Sequence, residues 1–126
     1  MSEVAIDALR LSDLDEVARI ETASFPAPWT TSAYRTELTE NPLARYVAAR
    51  VAGRLVGFAG IWLMVDEAHV STIAVDPIRR TSGIGTRLML ALLDAAREGG
   101  AACATLDVRR SEEHTSELQS RLHLVC

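Results

Sequence analysis

From Leu55 to Leu63 the chain runs nine residues without a polar side chain. Successive side chains of a strand point to opposite faces, so a strand that is apolar on both parities must be covered on both. Such a strand belongs at the centre of a sheet held between two layers. The run Arg54 to Leu63 is preceded by a second apolar run, Ala44 to Val51, across Ala52-Gly53, and the two read as an antiparallel hairpin. After a turn at Asp66-Glu67, Ala68 to Val75 reads as the third strand of the meander, β-branched at Val70, Thr72, Ile73 and Val75 and closed by Asp76-Pro77.

The flanking segments supply the covering layers. Val4 to Arg10 reads as a strand. Ser12 is the expected N-cap of a helix that carries Asp13, Asp15 and Glu16 in its first turn, with Leu14, Val17, Ala18 and Glu21 on one face. Phe25-Pro26-Ala27-Pro28-Trp29 is a stiff loop, because each proline fixes φ. Thr30 or Thr31 caps a second short helix that sets Tyr34 and Leu38 one turn apart and ends at Asn41-Pro42. A polar loop over 78–85 leads into a helix with Ile84, Leu88, Ala91, Leu92 and Ala95 at helical spacing and Gly99-Gly100 at its end. Cys103 to Val108 is a further strand. The expected architecture is an α/β domain with a largely antiparallel sheet, in the order β-α-α-β-β-β-α-β, the last strand being added through a helical crossover.

Composition narrows the function. With 126 residues the chain makes one domain, and 48% hydrophobic with 24% charged residues is the balance of a soluble globular protein. The start, Met1-Ser2-Glu3, lacks the basic-then-apolar run of a secretory leader, and no apolar window is long enough to span a bilayer, so a cytoplasmic protein without a membrane partner is expected. Cys103 and Cys126 form no C-x-x-C pair and no disulfide framework, and the scattered His69, His114 and His123 suggest no metal site. A net charge of −4 argues against a dedicated nucleic-acid binder. All 13 basic residues are Arg, which excludes a Schiff-base lysine and a phosphate-loop lysine.

The chemistry concentrates where the β-branched strand runs into Arg80-Thr81-Ser82-Gly83-Ile84-Gly85 and a helix begins at once. The N–H groups of a helix's first turn and its partial positive charge suit a phosphate, and Gly83 and Gly85 allow close approach. Neither a Walker loop nor a G-x-G-x-x-G fingerprint is present, since Leu88 stands where the third glycine would be. The pattern Arg80-x-x-Gly83-x-Gly85, preceded by Ile73-Ala74-Val75-Asp76-Pro77, resembles the acetyl-CoA motif of the GCN5-related N-acetyltransferases (GNAT). The resemblance implies that Ile73, Ala74 and Val75 contact acetyl-CoA along a splayed strand, and that Arg80, Thr81, Ser82, Gly83, Ile84, Gly85 and Thr86 hold its diphosphate. Phe25-Pro26-x-Pro28-Trp29, Asn41-Pro42-Leu43-Ala44-Arg45-Tyr46, Gly57-Phe58-Ala59-Gly60-Ile61-Trp62, Asp66-Glu67-Ala68-His69-Val70 and Leu106-Asp107-Val108-Arg109 resemble the branch of that family that acetylates the N-terminal alanine of ribosomal protein S18.

That likeness implies direct transfer of acetyl to a protein α-amine. Asp107 matches the branch's general base, a Glu there, one methylene longer. Glu67 is a second catalytic candidate and a candidate grip on the acceptor amine, with Trp29 and Tyr34 walling the substrate peptide. Main-chain N–H groups near Val75 would stabilise the developing oxyanion. The expected partner is the N-terminal peptide of a ribosomal protein, the expected state a monomer, and no metal is required. Two other functions share these residues: the same fold acting on a small-molecule amine or a Lys side chain, and a coenzyme-binding fragment without catalysis.

The last residues read differently. Residues 110–120, Arg-Ser-Glu-Glu-His-Thr-Ser-Glu-Leu-Gln-Ser, match the in-frame translation of a common sequencing-library adapter at every position. On that reading 1–109 is a partial acetyltransferase domain and 110–126 an artefactual tail. The family's later Asn, its Tyr acid and its final helix and strands are then missing. Weak acetyl-CoA binding and little turnover are expected of such a chain.

Overall fold

The computed structural model describes residues 4–79 and 83–106. In chain order these form β1 (Val4–Ala8), a 3-10 turn (Leu11–Asp13), α1 (Leu14–Ser24), α2 (Thr31–Glu40), β2 (Ala44–Val51), β3 (Arg54–Met64), β4 (Glu67–Val75), a 3-10 turn (Pro77–Arg79), α3 (Ile84–Glu98) and β5 (Cys103–Leu106). The sheet order is β1-β2-β3-β4-β5, antiparallel except for the parallel β4–β5 pair. The expected α/β order and the mainly antiparallel sheet are both present.

The all-apolar strand is β3, flanked by two strands on one side and two on the other, and both its faces are covered. One face packs Val56, Ala59 and Ile61 with Val70, Ile73 and Val75 of β4 against Ile84, Leu88, Met89, Leu92 and Ala96 of α3. The other packs Leu55 and Phe58 with Ala74 against Leu14, Val17 and Ile20 of α1, Phe25, and Tyr34 of α2. Gly57 eases the first contact: a Cβ there would lie 3.0 Å from Ala74 O and 3.1 Å from Leu88 Cδ1, so its neighbours would have to give by a few tenths of an ångström.

Two hairpin turns shape the meander. Ala52 and Gly53 both have positive φ (52° and 80°), the type I′ pattern that suits the right-handed twist of paired strands. Val65 opens the second two-residue turn at φ 55°, so the turn is Val65-Asp66 and Glu67 already belongs to β4, one residue earlier than the spacing suggests.

The expected N-cap at Ser12 is not formed. Ser12 is exposed inside the 3-10 turn, and Asp13 takes the boundary: its Oδ2 accepts from Arg10 N at 2.8 Å and its carboxylate pairs with Arg50 of β2 at 2.7 Å. That guanidinium, then the Arg10 amide, holds the Asp13 carboxyl below its ordinary pKa against the opposing effect of burial. Thr30 does cap α2, its Oγ1 accepting from Ala33 N at 3.1 Å.

Candidate active site

β4 carries the first half of the site. Its register against β3 passes from Ile61–Val70 to Gly60–Thr72, so Ser71 is an extra residue, a β-bulge, with its Oγ donating to Gly60 O at 3.3 Å. A bulge bends its strand and tightens the local twist. The parallel register to β5 ends one residue before it, at Val70–Leu106, within the described residues. Residues 71–75 of β4 lie beyond the described β4–β5 pairing, and the continuation of β5 is outside the described residues. The side chains of Ile73 and Val75 are buried towards α3 and that of Ala74 towards α1. What these three residues offer a coenzyme is therefore main chain.

The end of β4 is anchored from the opposite layer. Asp76, nearly buried, accepts from Arg19 of α1 at 2.8 Å through Oδ2 and from Ile78 N at 3.2 Å through Oδ1. Its own N–H donates to Val56 O at 2.8 Å. The turn that leads into the glycine loop thus hangs on one carboxylate. Sequence reading missed this pair because 57 residues separate its members and no local spacing marks it.

Gly83 is the N-cap of α3, with φ 83° and no side-chain cap, and nothing lies within 4 Å of where a Cβ would be. Ile84 and Gly85 behind it are buried, and Thr86 is partly exposed. A 15-residue helix that opens on a bare, left-handed glycine leaves room for an anion against its first turn, so the residues present fit a diphosphate. Arg80, Thr81 and Ser82 of the same loop, and Asp107, the expected base, lie outside the described residues.

On the other sheet face the polar groups gather. Glu21 is fully buried on α1; its Oε1 accepts from Trp29 N at 2.7 Å and its Oε2 from Tyr34 OH at 2.6 Å. Tyr34 also stacks against Trp29, Tyr46 and Phe58, with ring centroids 5.5, 5.9 and 5.6 Å away. Tyr34 has no exposed surface, so it does not wall the substrate as expected: its ring fills the core and its hydroxyl fixes the carboxylate that holds the Trp29 loop. Trp29 is partly exposed and does face solvent. Glu67 is exposed at the first position of β4, paired with Met64 and Cys103, away from the Trp29 loop in sequence and in register.

A second carboxylate escaped the sequence reading. Glu37 of α2 accepts from Trp62 Nε1 at 2.6 Å and Tyr46 OH at 2.8 Å through Oε1, and from Asn41 Nδ2 at 2.9 Å through Oε2. Burial alone would raise its pKa, but the three donors outweigh it and hold the carboxyl below its ordinary value. The one local signal was Asn41, four residues on from Glu37.

Among the described residues no group of His, Cys, Asp and Glu is placed to hold a metal ion, and no helix is long and apolar enough to cross a membrane. The family model for the acetyltransferase (GNAT) family matches residues 14–118. The N-alpha-acetyltransferase RimI of Mycobacterium tuberculosis is 42% identical over 102 residues, which cover 76% of this chain and 64% of that protein. The [ribosomal protein bS18]-alanine N-acetyltransferase of Escherichia coli K12 is 31% identical over 108 residues, covering 84% of this chain and 70% of that protein. The crystal structure of the Escherichia coli ribosomal-protein-S18-alanine N-acetyltransferase superposes with a TM-score of 0.81 at 28% identity, covering 95% of this chain and 76% of that one. The bulged strand, the bare helix start beside it and these matches together place the chain in the GNAT family of acetyltransferases, whose acetyl donor is acetyl-CoA.

Proposed function

We propose that the protein is of the type that transfers acetyl from acetyl-CoA to the N-terminal α-amine of a ribosomal protein, with turnover reduced in this chain, where 110–126 stand in place of the family's later residues. The observation that carries this reading is the bulge at Ser71, which bends β4 on its way to the turn that leads into the bare α3 N-terminus. The relatives named for bS18-alanine acetylation support the acceptor class.

Bound acetyl-CoA supplies a thioester, an acyl group activated for attack by an amine. The first turn of α3, from Ile84, holds the diphosphate, with Arg80, Thr81 and Ser82 completing the loop. Main chain of Ile73, Ala74 and Val75 aligns the pantetheine arm. An α-amine titrates near pH 8, so much of it is neutral near physiological pH and ready to attack. Asp107 takes the proton released as the new C–N bond forms, and Glu67 orients the amine before attack. The C–S bond breaks, and the departing thiolate is protonated from solvent or by an acid of this chain. Arg19 and Asp76 act by position, fixing the turn before the loop.

The test is a thioester assay that reads free thiol, run with an Ala-starting peptide against a Lys side-chain amide and small amines. Preference for the peptide is expected, and equal rates on all amines refute the acceptor class. Calorimetry with acetyl-CoA on a Gly83→Val variant checks the diphosphate site; unchanged affinity refutes it. The reading of 110–126 as non-native belongs to the same proposal, and the gene sequence across those codons tests it.

A further inference from the structure

Glu21 is a fully buried carboxylate that no step of the proposed reaction uses. It holds both ends of one loop. Its main-chain oxygen accepts from Phe25 N at 3.0 Å, and its Oε1 accepts from Trp29 N at 2.7 Å. Its Oε2 accepts from Tyr34 OH at 2.6 Å, and the Tyr34 ring lies 5.5 Å from that of Trp29. Between these anchors Pro26, Ala27 and Pro28 are exposed. The two prolines fix φ and bring no N–H, so the seat of the loop on the protein depends on its ends. Burying a carboxylate is costly unless its oxygens are satisfied. Here the groups that satisfy them are the loop and the helix that follows it.

The same helix holds the coenzyme side. Arg19, two residues before Glu21, pairs at 2.8 Å with Asp76, which opens the turn leading to Gly83. Residues two apart on an α-helix differ by about 3 Å along its axis. One turn of α1 therefore fixes both the approach to the diphosphate site and the loop that carries Trp29. A misplacement of about 1 Å between reactants can cost about a hundredfold in rate, so a shared frame has value in a transfer reaction.

Resting on the acceptor class proposed above, with the partly exposed Trp29 as the wall that meets the peptide, we propose that Glu21 is a positioning residue for the acceptor. It touches no substrate. It acts through Trp29, holding the indole in its receiving orientation before the peptide arrives, so that binding has less to order. The role needs two accepted or exchanged hydrogen bonds rather than a charge. Glutamine serves it: the amide oxygen accepts from Trp29 N while the NH2 donates to the Tyr34 oxygen. Methionine fills the volume and serves neither contact.

The experiment compares Glu21, Glu21→Gln and Glu21→Met in a Trp62→Phe background, which leaves Trp29 as the single tryptophan. Acrylamide quenching of Trp29 reads the loop. Calorimetry reads the donor side with coenzyme A, and the acceptor side with an Ala-starting peptide in the presence of coenzyme A. Glu21→Met should raise quenching and weaken the peptide about tenfold, with coenzyme A affinity unchanged. Glu21→Gln should match the parent in all three. Unchanged quenching or peptide affinity in Glu21→Met, a loss as large in Glu21→Gln, or a parallel loss of coenzyme A affinity overturns the inference. Where Glu21→Met does not fold, Tyr34→Phe takes its place: with one contact removed, quenching should rise and peptide affinity fall about threefold, and no change overturns the inference. The acceptor class fails separately, if peptides with free and acetylated termini bind alike; a quenching change that glutamine restores would then still stand for the anchor. A parent protein that binds no peptide overturns both the acceptor class and the positioning role.

Discussion

The two faces of the sheet are built from different materials. The face under α3 is hydrocarbon throughout: Ile61, Val70, Ile73, Leu88 and Leu92 meet with no charged side chain among them. The face under α1 and α2 buries Glu21 fully and holds Glu37 against Tyr46 and Trp62. A diphosphate is held by main chain and helix direction, which need only a helix fixed in place, and close-packed hydrocarbon does that. Selecting one amine among many needs directional groups, and these must be oriented by other polar groups. Under the proposed function the two faces divide the labour accordingly.

Substitutions on each face sharpen the contrast. Leu88→Ala empties space under α3 where nothing polar can compensate, and should cost about 2–5 kcal/mol in urea unfolding while leaving peptide selectivity intact. Tyr34→Phe removes the hydroxyl that donates to buried Glu21; about 1–3 kcal/mol is expected, together with a shift in Trp29 fluorescence as its loop loosens. A larger loss from Tyr34→Phe than from Leu88→Ala would reverse the comparison.

Acid should act through the polar side of the molecule. Asp13 and Glu37 both have folded pKa values below their ordinary 3.8 and 4.5, so the unfolded chain binds protons more readily. Their contribution is present above those values and is lost as pH falls through the lower folded ones. Stability measured by urea unfolding should therefore be flat near pH 6 and decline below about pH 4.5. Asp13→Asn should shallow that decline, and Leu88→Ala should leave its slope unaltered.

The smallest effect is expected outside both cores. Val65 is β-branched, fully exposed and held at φ 55°, where L-residues are disfavoured. Val65→Gly should raise stability by about 1 kcal/mol. A loss instead would mean that the glycine's freedom in the unfolded chain outweighs the relief of the turn.

What was legible in the sequence was local. The nine-residue apolar run places β3, Ala52-Gly53 marks its hairpin, Thr30 caps α2, and Gly83 followed by a strong amphipathic pattern marks the start of α3. Ser12 misled because Ser and Asp are comparable capping residues, and the decision falls to Arg50, 37 residues away from Asp13. Tyr34 misled because an aromatic next to a proline loop suits a wall and a core equally well. The bulge at Ser71 has no marker of its own: Val70-Ser71-Thr72 reads as unbroken strand until β3 supplies the register. Glu37 and the Arg19–Asp76 pair depend on contacts between separate elements, which spacing along one element does not contain.

The sheet order carries a consequence for synthesis. Strands β1 to β4 each lie beside the next in sequence, so all four are in hand once Val75 has been made. The helix that covers their hydrocarbon face ends only at Glu98. At translation rates of about 5–20 residues per second, that greasy surface waits uncovered for roughly one to five seconds on every nascent chain. Any factor that guards newborn polypeptides would find its docking window in that interval, and slow codons between 76 and 98 would lengthen it.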